Sequence, residues 1–456
     1  MTSLVAVYLL SSRAASNTTE CPLSCANQFR SLPGIVLSCI TTIFLCIWVA
    51  LHLNVPEPVD TRGLNRLCQF RTWIKWFFGC NIVPVVVTLL FPEWVLGIAV
   101  LQFTKATQLA KQIGCTRQQG FFIIMGGFHL FKRSQGYQIG SGGGGGGEAC
   151  SPVRESAVEG GDGRSGHTAS NQTINVEEAF GEPVHPLDEF DVWRLIKAGK
   201  LLLPTFAELQ DKCKSDGLAK FLVIAQTLWF ITQCIARKIN NLQLTELEVV
   251  TLGYTLLTLS MYVAWWDKPY RVTFPVRVYE PLPRRTKEQE RLKRKTKGLN
   301  FLEMVVGYAI GTQGGHVDLR SVKHVPMFHS GYSGMDDVSN LVAPVTTIIV
   351  GMLFGAVHFL AWSSPFPTIH VQYLWRFATM IIAVMPFAAV LGLFFAALIV
   401  DQCFGAARLL VLPLLLFPLI YFIGRGITIV IALKTLAGLP IDAYRDMEWS
   451  SFFPHI

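Results

Sequence analysis

Seven stretches of the chain are apolar over the length that a bilayer selects, and the polar positions gather between them. They are 33–53, 74–103, 219–236, 245–266, 341–362, 377–400 and 409–433. About 20 apolar residues cross a hydrocarbon core of about 30 Å, so six of the seven each predict one spanning helix. The second does not fit. At about 1.5 Å per residue it would be roughly 45 Å long. Pro84 and Pro92 interrupt it, and Glu93 follows at once. Proline removes a backbone donor and kinks a helix, and a carboxylate is costly in hydrocarbon. The pattern predicts a broken or re-entrant segment, with a steeply kinked single span as the rival. The expected fold class is an all-α integral membrane protein, a helical bundle of six clear spans plus one broken or re-entrant hydrophobic segment.

Composition agrees. Of 456 residues, 51% are hydrophobic and 15% charged, against about 25% charged in soluble proteins. The formal charge is +8, and its placement says more than its size. Residues 338–375 and 377–400 hold no Asp, Glu, Lys or Arg, whereas 284–297 holds eight Lys/Arg and two Glu. The loop 267–340 has thirteen basic residues and 104–218 has twelve, which places both in the cytoplasm. A re-entrant second segment then puts 54–73 inside, and the N-terminus and the 434–456 tail outside. The Asn17 sequon, an expected glycosylation site, suits an outside N-terminus, as do Cys21 and Cys25. LVAVYLL at 4–10 is a candidate for a short signal peptide within the 1–32 segment. The secretory pathway or plasma membrane is favoured over the mitochondrion.

The loop 104–218 is composite. GFFIIMGGFHLF at 120–131 reads as strand-like or interfacial. The Gly/Ser-rich tract within about 134–180 lacks the Lys-Ser/Thr of a phosphate-binding loop and reads as a disordered linker. Leu187, Phe190, Trp193 and Ile196 are spaced as a short membrane-apposed helix.

Four intramembrane polar residues are candidates for a site: Arg425, Glu93, His358 and Tyr421. Arg425 lies deep in the seventh segment, and such a charge needs a partner or a watery cavity. Glu93 is the one acid in its segment and is the expected partner. Tyr421 lies on the same stripe as Arg425. The pair reads equally as an ion or substrate pathway and as a buried structural bridge. His358 lies on a stripe with Gly351 and Gly355, where a packing histidine is favoured over a proton acceptor. The polar stripe Thr251, Thr255, Thr258 and Tyr262 suits a bundle interior.

The basic run offers Arg284, Arg285, Lys293, Arg294 and Lys295 to anionic lipid headgroups, or serves only as an orientation anchor. Nucleic acid is a poor partner for a membrane-embedded chain. GYSG at 331–334 resembles a membrane serine-protease nucleophile, but His358 would fall across the bilayer from it. No spacing matches a metal site, and no cofactor is implied.

TIFLCIWVALHLNVP at 42–56, GFFIIMGGF at 120–128, WWDKP at 265–269, FGAVHFLAWSSPFP at 354–367 and the C-terminal FFPHI resemble a large family of uncharacterised fungal multi-pass membrane proteins. The glycine tract and the stretch around Gln372, where an acid is expected, depart from its pattern. The resemblance implies the architecture and a fungal source and supplies no catalytic residues. The expected function is a channel or transporter, with an accessory, sensor or scaffold protein close behind and a membrane enzyme third. Bilayer lipid is the expected partner, with a homo-oligomer compatible.

Overall fold

The computed structural model describes residues 29–57, 65–132, 182–214, 217–298, 317–331, 337–402 and 407–447. Asn17, the glycine tract, Ser333 and Asp336 lie outside the described residues. Apolar periodicity gives long helices. They are α1 (Leu32–Ala50), α2 (Arg66–Leu90), α3 (Pro92–Ile113), α7 (Gly217–Ile239), α8 (Glu246–Ala264), α10 (Asp337–Val357), α11 (Ile369–Gln402) and α12 (Ala407–Thr435). Short helices α4 (Arg117–Ile124), α5 (Glu189–Lys197), α6 (Phe206–Lys212), α9 (Lys287–Gly298) and α13 (Ile441–Tyr444) fill the connections. Among the described residues, five helices are long and apolar enough to cross a membrane: α1, α2, α8, and the Ile369–Ala388 and Leu419–Gly438 stretches.

The helix α8 is the axis of the bundle. It packs on α1, α3, α7, α10 and α12, and most of its side chains are buried. Its start is fixed by a capping box in which Thr245 and Glu248 satisfy each other's backbone N–H groups. Its buried threonines do not need partners on other helices. Thr251, Thr255 and Thr258 donate to carbonyls one turn back, at Leu247, Leu252 and Tyr254. In contrast, α2 is largely exposed, with Leu67, Phe70, Trp73, Phe78 and Val86 turned outward.

The segment expected at 74–103 is indeed interrupted, but its bounds are wider. Helix begins at Arg66, passes a π-turn at Phe78–Ile82, stops at Phe91 and restarts as α3, which runs to Ile113. Hydropathy alone misses both outer ends, because RLCQFRTWIKWF and the last turns of α3 are amphipathic. Phe91 has φ −133° and ψ 55°, and Pro92 behind it donates no N–H, so the ladder cannot continue.

The fold is mostly helical, as expected, and the connections add one small sheet. Three short strands, β1 (Phe128–Lys132), β2 (Glu182–Pro186) and β3 (Val276–Val278), form a sheet in the order β2-β1-β3. β1 pairs with β2 antiparallel and with β3 parallel. The run 120–131 is therefore neither one strand nor an interfacial face. It is buried helix α4, a turn at Gly126 with φ +85°, and then β1. The helix at 189–197 forms, but it buries Asp191, Val192 and Leu195 and leaves Trp193 exposed, beneath Lys197. Of the expected stripe, Leu187 is buried and Phe190 and Ile196 pack partly buried against the core, so Trp193 alone turns away.

Polar contacts mark the two ends of the bundle. At one, Arg30 binds Glu248 and the Ala443 carbonyl, and Arg237 donates to the carbonyls of Gln243, Ala443 and Arg445. At the other, Asn54 and Gln102 bond the 326–331 loop, and Lys268 donates to both of them. The chain thus leaves α1 and returns along α3 to the same end.

Close packing between α10 and α11 depends on Gly355, where an added Cβ would run into the backbone of Ala383, 2.6 Å from its nitrogen. Gly355→Ala is expected to destabilise the purified protein by about 1–3 kcal/mol, as overpacking does. A thermal midpoint equal to that of the parent chain would show that α11 can simply move aside.

Candidate functional site

Where α2 ends, the carbonyl of Leu89 has no intrahelical acceptor role left, since the residue four positions on now begins a new helix. The Tyr254 hydroxyl, from the middle of α8, donates to it at 2.6 Å. The same hydroxyl accepts from Arg425 Nη2 at 2.6 Å. Arg425 Nη1 donates to both oxygens of Glu93, at 2.7 and 2.8 Å, and the Tyr421 hydroxyl donates to Glu93 Oε1 at 2.6 Å. The guanidinium also faces the rings of Phe354 and Tyr254, at 4.6 and 5.1 Å from their centroids. Arg425 is 3% and Glu93 7% exposed, so water does not share the pair. A buried pair holds only when its remaining donors and acceptors are occupied, and here two phenols and two rings do that. One ionic latch therefore joins the α2–α3 break to α8, α10 and α12.

The structure brings Glu93, Tyr421 and Arg425 together and leaves His358 outside. His358 bonds the Phe354 carbonyl through Nδ1 at 2.9 Å and packs between the Phe354 and Trp375 rings. Phe354 stands between it and Arg425. Tyr254 was missed by the sequence reading. It lies at the edge of the threonine stripe of α8, three residues after Thr251, among Leu, Gly and Thr residues that give no reason to single it out.

The basic run is sorted by a buried acidic hub. Asp188 caps α5 by accepting from the Asp191 N–H, and Gln289 of α9 reaches in to donate to Asp188 and Asp191. Arg320 grips Asp191 with two bonds, Nε at 2.8 Å and Nη2 at 2.5 Å, and Arg194 adds a third at 2.7 Å. Arg285 binds both oxygens of Asp318, so it is drawn inward. Arg284 and Arg294 stay exposed, Lys293 is half-buried, and the side chain of Lys295 lies outside the described residues. Burial, with Asp191 beside it, pushes the Asp188 carboxyl up to about 7. Asp191 is buried too, but the Arg320 bond and charge outweigh that and hold it below the usual carboxylate range.

A third polar cluster, the inner cluster, closes the end of the bundle away from Arg30. Lys268, of WWDKP, is 3% exposed and donates to Asn54 Oδ1 at 3.0 Å and Gln102 Oε1 at 2.9 Å. Burial holds its amine well below the usual lysine range. Trp265 Nε1 donates to the same Gln102 oxygen at 2.8 Å, and Gln102 Nε2 donates to the His329 carbonyl at 2.6 Å. Nearby, Lys105 donates to the Gly331 carbonyl. Among the described residues, no group of three or more His, Cys, Asp and Glu could hold a metal ion.

Residues 4–134 and 195–284 match the model of a family of unknown function, DUF8562. No curated protein and no solved structure matches the chain.

If the latch is one coupled unit, removing either charge alone strands the other at a cost of about 3–5 kcal/mol. Glu93→Leu or Arg425→Leu should each cut folded yield, and the double variant should recover part of it. Additive losses in that double-mutant cycle would show the two side chains to be independent.

The hub makes a pH prediction. An acid whose folded pKa lies above its unfolded value of about 3.9 stabilises the fold while it stays protonated. That contribution is complete below about pH 4 and is lost as pH rises through about 7. His129 and His185, held below the usual imidazole range by burial, push the other way. They are common to the parent chain and to Asp188→Asn, so they cancel in the difference between the two. The thermal midpoint of the parent minus that of Asp188→Asn should fall from about pH 4 to about pH 7 and level off above that, and a difference that stays flat across this range would contradict the assignment.

Proposed function

We propose that the chain is a multi-pass membrane protein that passes a small ionic solute, as a channel or transporter, with the Glu93–Arg425 latch as its closed gate. One observation carries this reading: the α2–α3 break delivers a buried carboxylate to the start of α3, opposite a buried arginine about two thirds of the way along α12. Interrupted helices with charged groups at their ends are how many transporters build ion and substrate sites near the bilayer midplane. Thr435 ends α12 ten residues beyond Arg425, about 15 Å along the helix, which is half of a hydrocarbon core of about 30 Å.

The proposed topology follows the polar ends of the bundle. The end with Arg30, Gln243 and Ala443 faces outside, with Asn17 glycosylated. The end with Asn54, Lys105, Lys268 and the acidic hub faces the cytoplasm. In this arrangement α2 and α3 together re-enter rather than cross. The resemblance to fungal multi-pass membrane proteins and a place in the secretory pathway or plasma membrane fit this picture. Lys287, Arg291 and Arg294 lie exposed along one stripe of α9, opposite the buried Gln289, and would meet anionic lipid.

The second reading is an accessory or scaffold protein. It is favoured by the completeness of the latch, where both carboxylate oxygens and two guanidinium nitrogens are engaged.

Flux from proteoliposomes loaded with K⁺, Cl⁻ or a pH dye separates the two. The parent chain should exceed empty liposomes for one of them. Glu93→Gln keeps the shape but removes the charge that holds Arg425, so the fraction that still folds should show that flux raised about tenfold or more. Parent liposomes as tight as empty ones to all three would remove the gate and leave the scaffold.

A further inference from the structure

On the face of α12 away from the latch, a groove of about 560 Å³ runs between α11 and α12. Val371 and Leu374 of α11 form one wall, and Ile423, Ile427 and Val430 of α12 form the other. Gly426 is its floor: a Cβ built there meets nothing within 4 Å, so the missing side chain is what keeps the slot open. Lys434, in the last turn of α12, stands at one end, and no carboxylate lies within ion-pair reach of it among the described residues.

The length of the slot matters. Ile423 to Lys434 is eleven residues, about 16 Å along the helix, and one leaflet of a bilayer is about half of roughly 30 Å. The groove therefore has an apolar trough as deep as one leaflet and a single cation where the lipid headgroups begin. A buried apolar chain fills the first, and a phosphate satisfies the second. From this we infer that the groove is a specific phospholipid site, with one acyl chain lying between α11 and α12 and the phosphate on Lys434. The inference rests on the membrane reading above and not on transport.

Native mass spectrometry of the detergent-purified full chain tests it, with phosphatidic acid, phosphatidylcholine and diacylglycerol of identical acyl chains added in equal amounts. Bound lipid should follow that order. Phosphatidic acid should exceed diacylglycerol about fivefold, the effect of one basic residue at a headgroup surface. Lys434→Gln should level the order, and Lys434→Arg should keep it. Gly426→Leu, which fills the slot without a clash, should reduce all three lipids. Equal retention of the three lipids by the parent chain would overturn the site, as would an order that survives Lys434→Gln or a Gly426→Leu variant that binds as before. Alkaline carbonate extraction keeps the two failures apart. A chain released by carbonate sinks the membrane reading, whereas a retained chain without lipid preference sinks only the groove.

Discussion

The bundle depends on how one buried charge pair is kept from being a liability. Moving a carboxylate and a guanidinium out of water costs several kcal/mol each, and their attraction offsets that only with good geometry and no idle donors. The chain meets this condition by placing the pair at a helix break. Pro92 ends the ladder of α2, which frees the Leu89 carbonyl and turns Glu93 inward on the first turn of α3. Tyr254 then serves two needs at once, donating to the freed carbonyl and accepting from Arg425. Without the break, Glu93 would continue along α2, a helix that is mostly exposed.

The two ends of the bundle use a different strategy. Arg30 and Arg237 bind chiefly to backbone carbonyls of the C-terminal region and of the turn before α8, so the first and last described stretches are tied to one another. At the opposite end, Lys268 bonds two amide oxygens and no carboxylate. An ammonium so enclosed is destabilised by burial, while a neutral amine can still donate to both amides. The connecting segments add structure of their own on this end, the sheet and the acidic hub.

How far the sequence was readable depends on the range over which each feature acts. Helix positions were legible because apolar runs are local, and the Glu93–Arg425 contact was legible because each charge is conspicuous in an apolar stretch. Tyr254 was not, since a tyrosine among Leu, Thr and Val gives no reason to prefer one face. The sheet was hidden for another reason: β1, β2 and β3 come from segments far apart in sequence and are at most five residues long, too short for a period-two pattern to stand out. The hub was hidden because Asp188 and Asp191 sit where an ordinary helix N-terminus would show exposed acids. Only Gln289 and Arg320, about 100 and 129 positions away, make those acids interior.

One helix carries both charged interiors. Glu93 opens α3 at the latch, and Gln102, nine residues on, takes part in the inner cluster with Lys268 and Trp265. At 1.5 Å per residue these lie about 14 Å apart on a single rigid rod. Its neighbours α8 and α10 hold it along most of that length, and Gly97 lets Thr347 of α10 come close against it. A rod held this way can tilt only as a unit. Opening the Glu93 contact by moving α3 must therefore strain the Gln102 bonds to the His329 carbonyl and Lys268. Moving α12 away instead breaks the latch and leaves the inner cluster whole. That motion carries α11 with it, because α11 and α12 pack on each other more extensively than any other pair of helices among the described residues, and it spares the Gln102 and Lys268 bonds that a tilt of α3 would strain.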